Sequence, residues 1–187
     1  MVLAGGKSRR FGSDKTKAKI KGKSLLHIVT DRLKNSGFEV ILSGGSPKKF
    51  SSLGCPVIED ALPFEGPLQA MVHSFLEQNE KRILFVACDM PFLKPAVLDT
   101  LWNYDSKADI VLLQSPGKRK MLPGVYSNRI VPVAKNFLSR GRRDIKILCD
   151  SPLATKMVPE KAWKIFDPQA LSLFNINRKR DLIRACS

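Results

Sequence analysis

The sequence predicts a three-layer α/β sandwich in which a mostly parallel central sheet lies between helices. Three observations carry this. Short apolar runs alternate along the chain with stretches of helical periodicity, the order expected of a doubly wound sheet. The run Ile83-Leu84-Phe85-Val86-Ala87 is apolar without alternation, as in a central strand covered on both faces. And the apolar run Met1 to Leu3 passes directly into a glycine-rich, cation-studded turn, Ala4-Gly5-Gly6-Lys7-Ser8-Arg9-Arg10-Phe11-Gly12-Ser13-Asp14-Lys15.

Taken in order, the first strand is Met1 to Leu3. Ser24 supplies a capping hydroxyl for a helix from Leu25 to about Ser36, with Leu25, Leu26, Ile28, Val29 and Leu33 on one side and Gly37 ending it. A strand is predicted at Glu39 to Leu42, a turn at Gly44-Gly45, and a strand at Pro56 to Ile58 leading into Glu59-Asp60. Pro67 suits the first turn of a helix whose buried face would be Leu68, Met71, Val72, Phe75 and Leu76. After the central strand come a helix over Pro95 to Trp102, a strand over Asp109 to Leu113, a strand at Gly124 to Tyr126 and a helix over Arg129 to Leu138. Some strands of this second half are open to an antiparallel direction. The pattern then blurs, until Leu173 to Asn177 reads as an extended segment before a terminal helix over Lys179 to Ala185. There is no internal repeat or linker, so the expectation is one domain over residues 1–187.

Composition narrows the class of protein. Hydrophobic residues at 43% and charged residues at 26% are ordinary for a globular chain, which argues against disorder. The apolar runs are too short to span a bilayer, and because the glycine loop begins almost at Met1 no secretory segment is expected. The expected location is therefore the cytoplasm, with no membrane partner. Cys55, Cys88, Cys149 and Cys186 form no C-x-x-C pair, so neither a zinc ribbon nor a disulfide framework is suggested. A formal net charge of +15 calls for anionic partners. The cations fall in separate clusters with few interleaved aromatics, which disfavours nucleic acid.

The glycine turn suits a polyphosphate, because backbone N–H groups and cations can surround it at the carboxyl end of a strand. It is not a Walker A loop: the glycine required five positions before Gly6 is replaced by Met1. It is not a dinucleotide fingerprint either, since Gly5 and Gly6 are adjacent. Nucleotidyl transfer needs charge neutralisation on a triphosphate and a divalent ion bridging its phosphates. Gly5 and Gly6 allow close backbone approach, Arg10 and Lys15 can neutralise phosphate oxygens, and Asp89, just past the central strand, can hold Mg²⁺. An aspartate at a strand end can equally cap a helix. Asp60 suits a ligand or a loop cap, and Ser43 a ligand or a turn. His27 and His73 have no metal-ligand partner nearby, and Cys88 reads as a small buried neighbour.

With these residues in place, the chain resembles the molybdenum cofactor guanylyltransferases and their nucleotidyltransferase relatives. Leu3 to Lys15 is similar to their L-A-G-G-x-S-x-R-M-G-x-D-K signature, with Phe11 for the methionine. Further matches are Val57-Ile58-Glu59-Asp60, Gly66-Pro67-Leu68, Ala87-Cys88-Asp89-Met90-Pro91-Phe92 and Phe174-Asn175-Ile176-Asn177. The resemblance implies a Rossmann-like domain that moves GMP from GTP to the terminal phosphate of molybdopterin and releases pyrophosphate. It implies Leu3, Ala4, Gly5 and Gly6 along the guanine nucleotide, Lys15 at its phosphates, Asp60 on the nucleoside side, and Asp89 at Mg²⁺, while Ser43 stands as a nucleotide-binding candidate on its own strand-end position. It implies Asn175 and Asn177 on the pterin side or beside the metal, and a molybdoenzyme or cofactor-handling protein as recipient. The sequence departs from the pattern at Ser43, where an asparagine is common, at Gln69-Ala70, and in lacking a histidine before Pro123. A relative using CTP or another phosphorylated acceptor is the alternative enzyme; a non-catalytic nucleic-acid binder is the alternative of another class.

Overall fold

The computed structural model describes residues 1–5, 18–59, 66–117 and 119–186. Strand β1 is Val2–Leu3, a small hairpin follows as β2 (Lys19–Ile20) and β3 (Lys23–Ser24), and helix α1 spans Leu25–Asn35. Then come β4 (Leu42–Ser43), α2 (Pro47–Phe50), β5 (Val57–Ile58), α3 (Pro67–Gln78) and β6 (Arg82–Ala87). The second half contains α4 (Pro95–Asn103), β7 (Ile110–Leu113), β8 (Gly124–Ser127), α5 (Ile130–Ser139), β9 (Thr155–Val158), α6 (Glu160–Trp163) and α7 (Lys179–Cys186). Short 3₁₀ turns stand at Ile145–Asp150 and Leu171–Leu173.

Seven strands form one sheet in the order β5-β4-β1-β6-β8-β7-β9. β5, β4, β1 and β6 run parallel, β7 and β9 run parallel, and β8 is antiparallel to both neighbours. The sheet is thus mostly parallel, with its reversed strand in the second half.

Helices cover both faces, which is why β6 has no polar face. Leu84 and Val86 pack with Leu26, Val29 and Leu33 of α1, Val97, Leu98 and Leu101 of α4, and Trp163 of α6. Ile83 and Phe85 point the other way, toward Leu68, Met71, Val72 and Phe75 of α3 and Ile130 and Ala134 of α5. Phe85 is fully buried, edge-on to Phe75 and Tyr126 at centroid distances of 5.6 and 5.8 Å. Cutting such a side chain to alanine costs about 3–5 kcal/mol. Gly124 opens β8 where no side chain fits: a Cβ there would stand 2.8 Å from the Met121 carbonyl oxygen and 2.7 Å from Leu112.

Local signals act as expected at the helix starts. Ser24 Oγ accepts from the His27 amide at 3.2 Å, and prolines open both α3 and α4. Three expectations are corrected. The second sheet strand is Leu42–Ser43 rather than Glu39 to Leu42, because neighbouring β1 and β5 each offer only two residues to pair with. Leu76 is 55% exposed, lying at the flank of a stripe that Leu68, Met71, Val72 and Phe75 already fill. The stretch predicted as extended at Leu173 to Asn177 joins no sheet; its first residue ends a 3₁₀ turn, and Ile176 donates its amide to the Asp89 carbonyl at 2.9 Å.

Candidate functional site

The carboxyl ends of four parallel strands lie side by side. Beyond the paired residues the ladder extends by one bond each: Ala4 N–H to the Ser43 carbonyl at 2.8 Å, Gly44 N–H to Ile58 at 2.9 Å, and Cys88 N–H to Leu3 at 3.2 Å. Past that line the chain peels away at Gly5, Gly44, Glu59 and Asp89. The path runs from β1 outward to β4 and β5, then returns to β6 on the other side of β1. The strand order reverses between β1 and β6, and in open α/β sheets ligands bind beyond the carboxyl ends of the strands at such a reversal.

The expected residues divide by how they can act there. Leu3 and Ala4 are buried and Gly5 is exposed, so the first two present backbone rather than side chain. Ser43 ends β4 and is 2% exposed, consistent with a packed strand end. Gly44 and Gly45 then turn with φ of 98° and 82°, which side chains rarely adopt. Gly6, Arg10, Lys15 and Asp60 lie outside the described residues.

Asp89 and Asn175 meet although 86 positions separate them: Asn175 Nδ2 donates to Asp89 Oδ1 at 2.7 Å. The contact is doubled by the bond from the Ile176 amide to the Asp89 carbonyl oxygen. Asn177 is exposed and turns the chain into α7: its amide and that of Arg178 both donate to Asp181 Oδ2 at 2.8 Å. The Asn177 amide holds the Asp181 carboxyl below its ordinary value, against a smaller effect of burial, with Arg178 and Arg180 adding to the lowering.

An apolar cluster that the sequence reading missed supports this contact. Ile20 of the hairpin, Leu25 of α1 and Ile176 are buried together, with Ala18, Ile28, Phe92, Phe174 and Leu182 packed around them. Phe92 and Phe174 have ring centroids 6.1 Å apart. The cluster ties the loop after β6 to the segment carrying Asn175 and to the chain that follows the glycine turn. Its signal lies in the apolar positions that alternate with the asparagines in Phe174-Asn175-Ile176-Asn177.

Among the described residues, no group of three or more His, Cys, Asp or Glu could hold a metal alone. Asp89 offers a hard oxygen donor past the carboxyl end of β6, oriented by the Asn175 amide. That donor set fits Mg²⁺, which commonly takes one or two carboxylates and completes its coordination with phosphates and water.

Comparison with known proteins gives a consistent picture. The sequence profile described as the MobA-like NTP transferase domain matches residues 1–151. A protein named molybdenum cofactor guanylyltransferase from Desulfosudis oleivorans is 29% identical over 187 residues, covering 99% of this chain and 92% of its own. One from Pyrococcus furiosus, named a probable molybdenum cofactor guanylyltransferase, is 32% identical over 97% of this chain and 92% of its own. The crystal structure of molybdopterin-guanine dinucleotide biosynthesis protein A from Archaeoglobus fulgidus superposes with a TM-score of 0.83 at 26% identity, covering 98% of this chain and 94% of that one.

Proposed function

This chain belongs to the MobA-like NTP transferase domain family, and from that premise we propose that it transfers GMP from GTP to the terminal phosphate of molybdopterin, releasing pyrophosphate. The observation that carries the proposal is the meeting of Asp89 and Asn175 past the carboxyl end of β6, in a chain alike to named guanylyltransferases along almost its whole length. An acceptor phosphate oxygen forms a bond to the α-phosphorus of GTP as the bond from that phosphorus to the β-bridging oxygen breaks. Little covalent work falls to the protein, so positioning and charge dominate.

In this reading the backbone of Leu3, Ala4 and Gly5, with Gly6, lines the nucleotide. Arg10 and Lys15 neutralise phosphate oxygens and stabilise the departing pyrophosphate. Ser43 and Asp60 face the nucleoside, and Asn175 and Asn177 the pterin side. Mg²⁺ held by Asp89 would supply Lewis-acid charge stabilisation on the phosphates. Asn175 orients the Asp89 carboxylate for that task. The large positive charge attracts two phosphorylated ligands.

The reading further includes one transferase unit over residues 1–187, action in the cytoplasm, and delivery of the product to a molybdoenzyme or cofactor-handling protein. No helix among the described residues is long and apolar enough to cross a membrane. The decisive assay incubates the protein with labelled GTP or CTP, molybdopterin and Mg²⁺, with and without chelator. We expect a guanine dinucleotide and pyrophosphate from GTP alone, lost on chelation. Product from CTP but not GTP would overturn the nucleotide assignment, and turnover that survives chelation would overturn the metal.

A further inference from the structure

Asp167 is 1% exposed, and both its carboxylate oxygens are engaged by backbone amides: Leu171 N–H at 3.0 Å and Ser172 N–H at 2.7 Å. These bonds fix the 3₁₀ turn Leu171–Leu173. Ser172 is fully buried, and its hydroxyl oxygen accepts from the Lys94 amide at 3.0 Å. Lys94 ends the loop that Asp89 begins, and the preceding carbonyl, Leu93, accepts from Arg32 of α1 at 3.1 Å. Three residues beyond Ser172 comes Asn175, on Asp89. The segments 89–94 and 172–176 are therefore joined at both ends, by Ser172 to Lys94 and by Asn175 and Ile176 to Asp89.

Burying a carboxylate removes its hydration, which hydrogen bonds to its oxygens must offset. A turn alone does not require one; neutral side chains close such turns throughout proteins. A charge-assisted clamp does hold its turn in one geometry more tightly than a neutral cap.

We propose that Asp167 is a positioning residue for the phosphate-transfer site: by locking the turn that carries Ser172, it sets the register in which Asn175 meets Asp89 and orients that carboxylate toward its cation. The inference rests on the reading of Asp89 as the metal-holding group.

The test measures Mn²⁺ binding to the GTP-saturated protein by electron paramagnetic resonance, with amide hydrogen exchange at Lys94 and Ile176 read in parallel. Asp167→Asn should weaken Mn²⁺ binding on the order of tenfold, as loss of a partner that orients a metal ligand does, and should speed exchange at both amides. Ser172→Ala keeps the carboxylate clamp and removes only the link to Lys94; it should move both readouts in the same direction and carries the test if the first variant does not fold. In an Asn175→Ala background Asp167→Asn should cost less than a further twofold, because the contact it positions is already gone. Equal losses with and without Asn175 would overturn the proposal, as would Mn²⁺ affinity within twofold of the parent in both variants while Asp89→Asn abolishes it. Parent-like Mn²⁺ binding in Asp89→Asn would instead defeat the metal reading, and the proposal with it.

Discussion

Asp89 and Asp109 stand beyond opposite ends of the strands of one sheet, the first past the carboxyl end of β6 and the second just before the amino end of β7, and their partners differ in kind. Asp109 has a side chain 12% exposed, and it accepts from the Ala154 amide at 2.8 Å, from Ser127 Oγ at 3.1 Å and from Arg129. Ser127 ends β8 and Ala154 precedes β9, so this carboxylate joins the strands on both sides of β7. Asp89 is half-buried, lies past the end of its strand, and is oriented by Asn175 from a segment outside the sheet. A carboxylate that knits strands serves stability, whereas one held past a strand end by a distant amide is the one we propose for chemistry. Substituting each should separate the two effects.

The largest effect is expected at Asp89. Asp89→Asn keeps shape and an acceptor for Asn175 but removes the charge, so kcat should fall on the order of 10²–10³-fold, the equivalent of about 3–4 kcal/mol of transition-state stabilisation. Its Tm should stay within about 2 °C of the parent. Steady-state pyrophosphate release together with calorimetry checks both, and near-normal turnover would remove Asp89 from the metal role.

Asn175→Ala should act in the same direction and less strongly, lowering kcat about 10–100-fold as loss of a ligand's orienting partner does. Restoring part of the rate with excess divalent ion would sharpen the contrast, since the defect would then lie in how the carboxylate is presented. A loss confined to the KM for molybdopterin would move Asn175 to the pterin side alone.

Asp109→Asn should reverse the pattern. It leaves an amide facing donors that a carboxylate satisfied, at a cost of about 2 kcal/mol in stability after allowing for the exposed Arg129 side of the pair. The kcat at a temperature well below Tm should remain within about twofold. Denaturant unfolding with a parallel assay tests this, and a large fall in kcat without loss of stability would erase the distinction between the two carboxylates.

The two carboxylates also differ in how legible they were. Asp89 stood out because a central apolar run ended two residues before it, and strand ends of parallel sheets are where ligands bind. The Asp89 to Asn175 contact was not legible from periodicity, since it joins irregular segments; only the resemblance placed the asparagines near the site. Asp109 was read as the start of a strand, and its partners, Ser127, Arg129 and Ala154, depend on β8 inserting antiparallel between β6 and β7. That insertion is set by tertiary packing around Gly124, where close approach of Met121 and Leu112 admits no side chain. The hairpin β2–β3, the helix α2 and the strand β9 escaped for a similar reason, being short elements fixed by neighbours more than by their own pattern.

The smallest expected effect is in pH dependence. Burial pushes the Asp109 carboxyl up, but the hydrogen bonds from Ala154, Arg129 and Ser127 outweigh it and hold the carboxyl below its ordinary value. The unfolded chain therefore takes up this proton at a higher pH than the folded one, and stability rises with pH across that interval. The contribution is fully present above the ordinary aspartate value, roughly pH 4, and is lost as pH falls through the lower folded value. Asp181 titrates similarly in both parent and Asp109→Asn, so it cancels in their difference. The Tm gap between the two proteins should stay constant from about pH 8 to 5 and narrow below about pH 4. A gap that holds unchanged down to pH 2 would mean that the Asp109 network stabilises the sheet through shape alone, and that the charge at this end of the strands matters no more than the amide that replaces it.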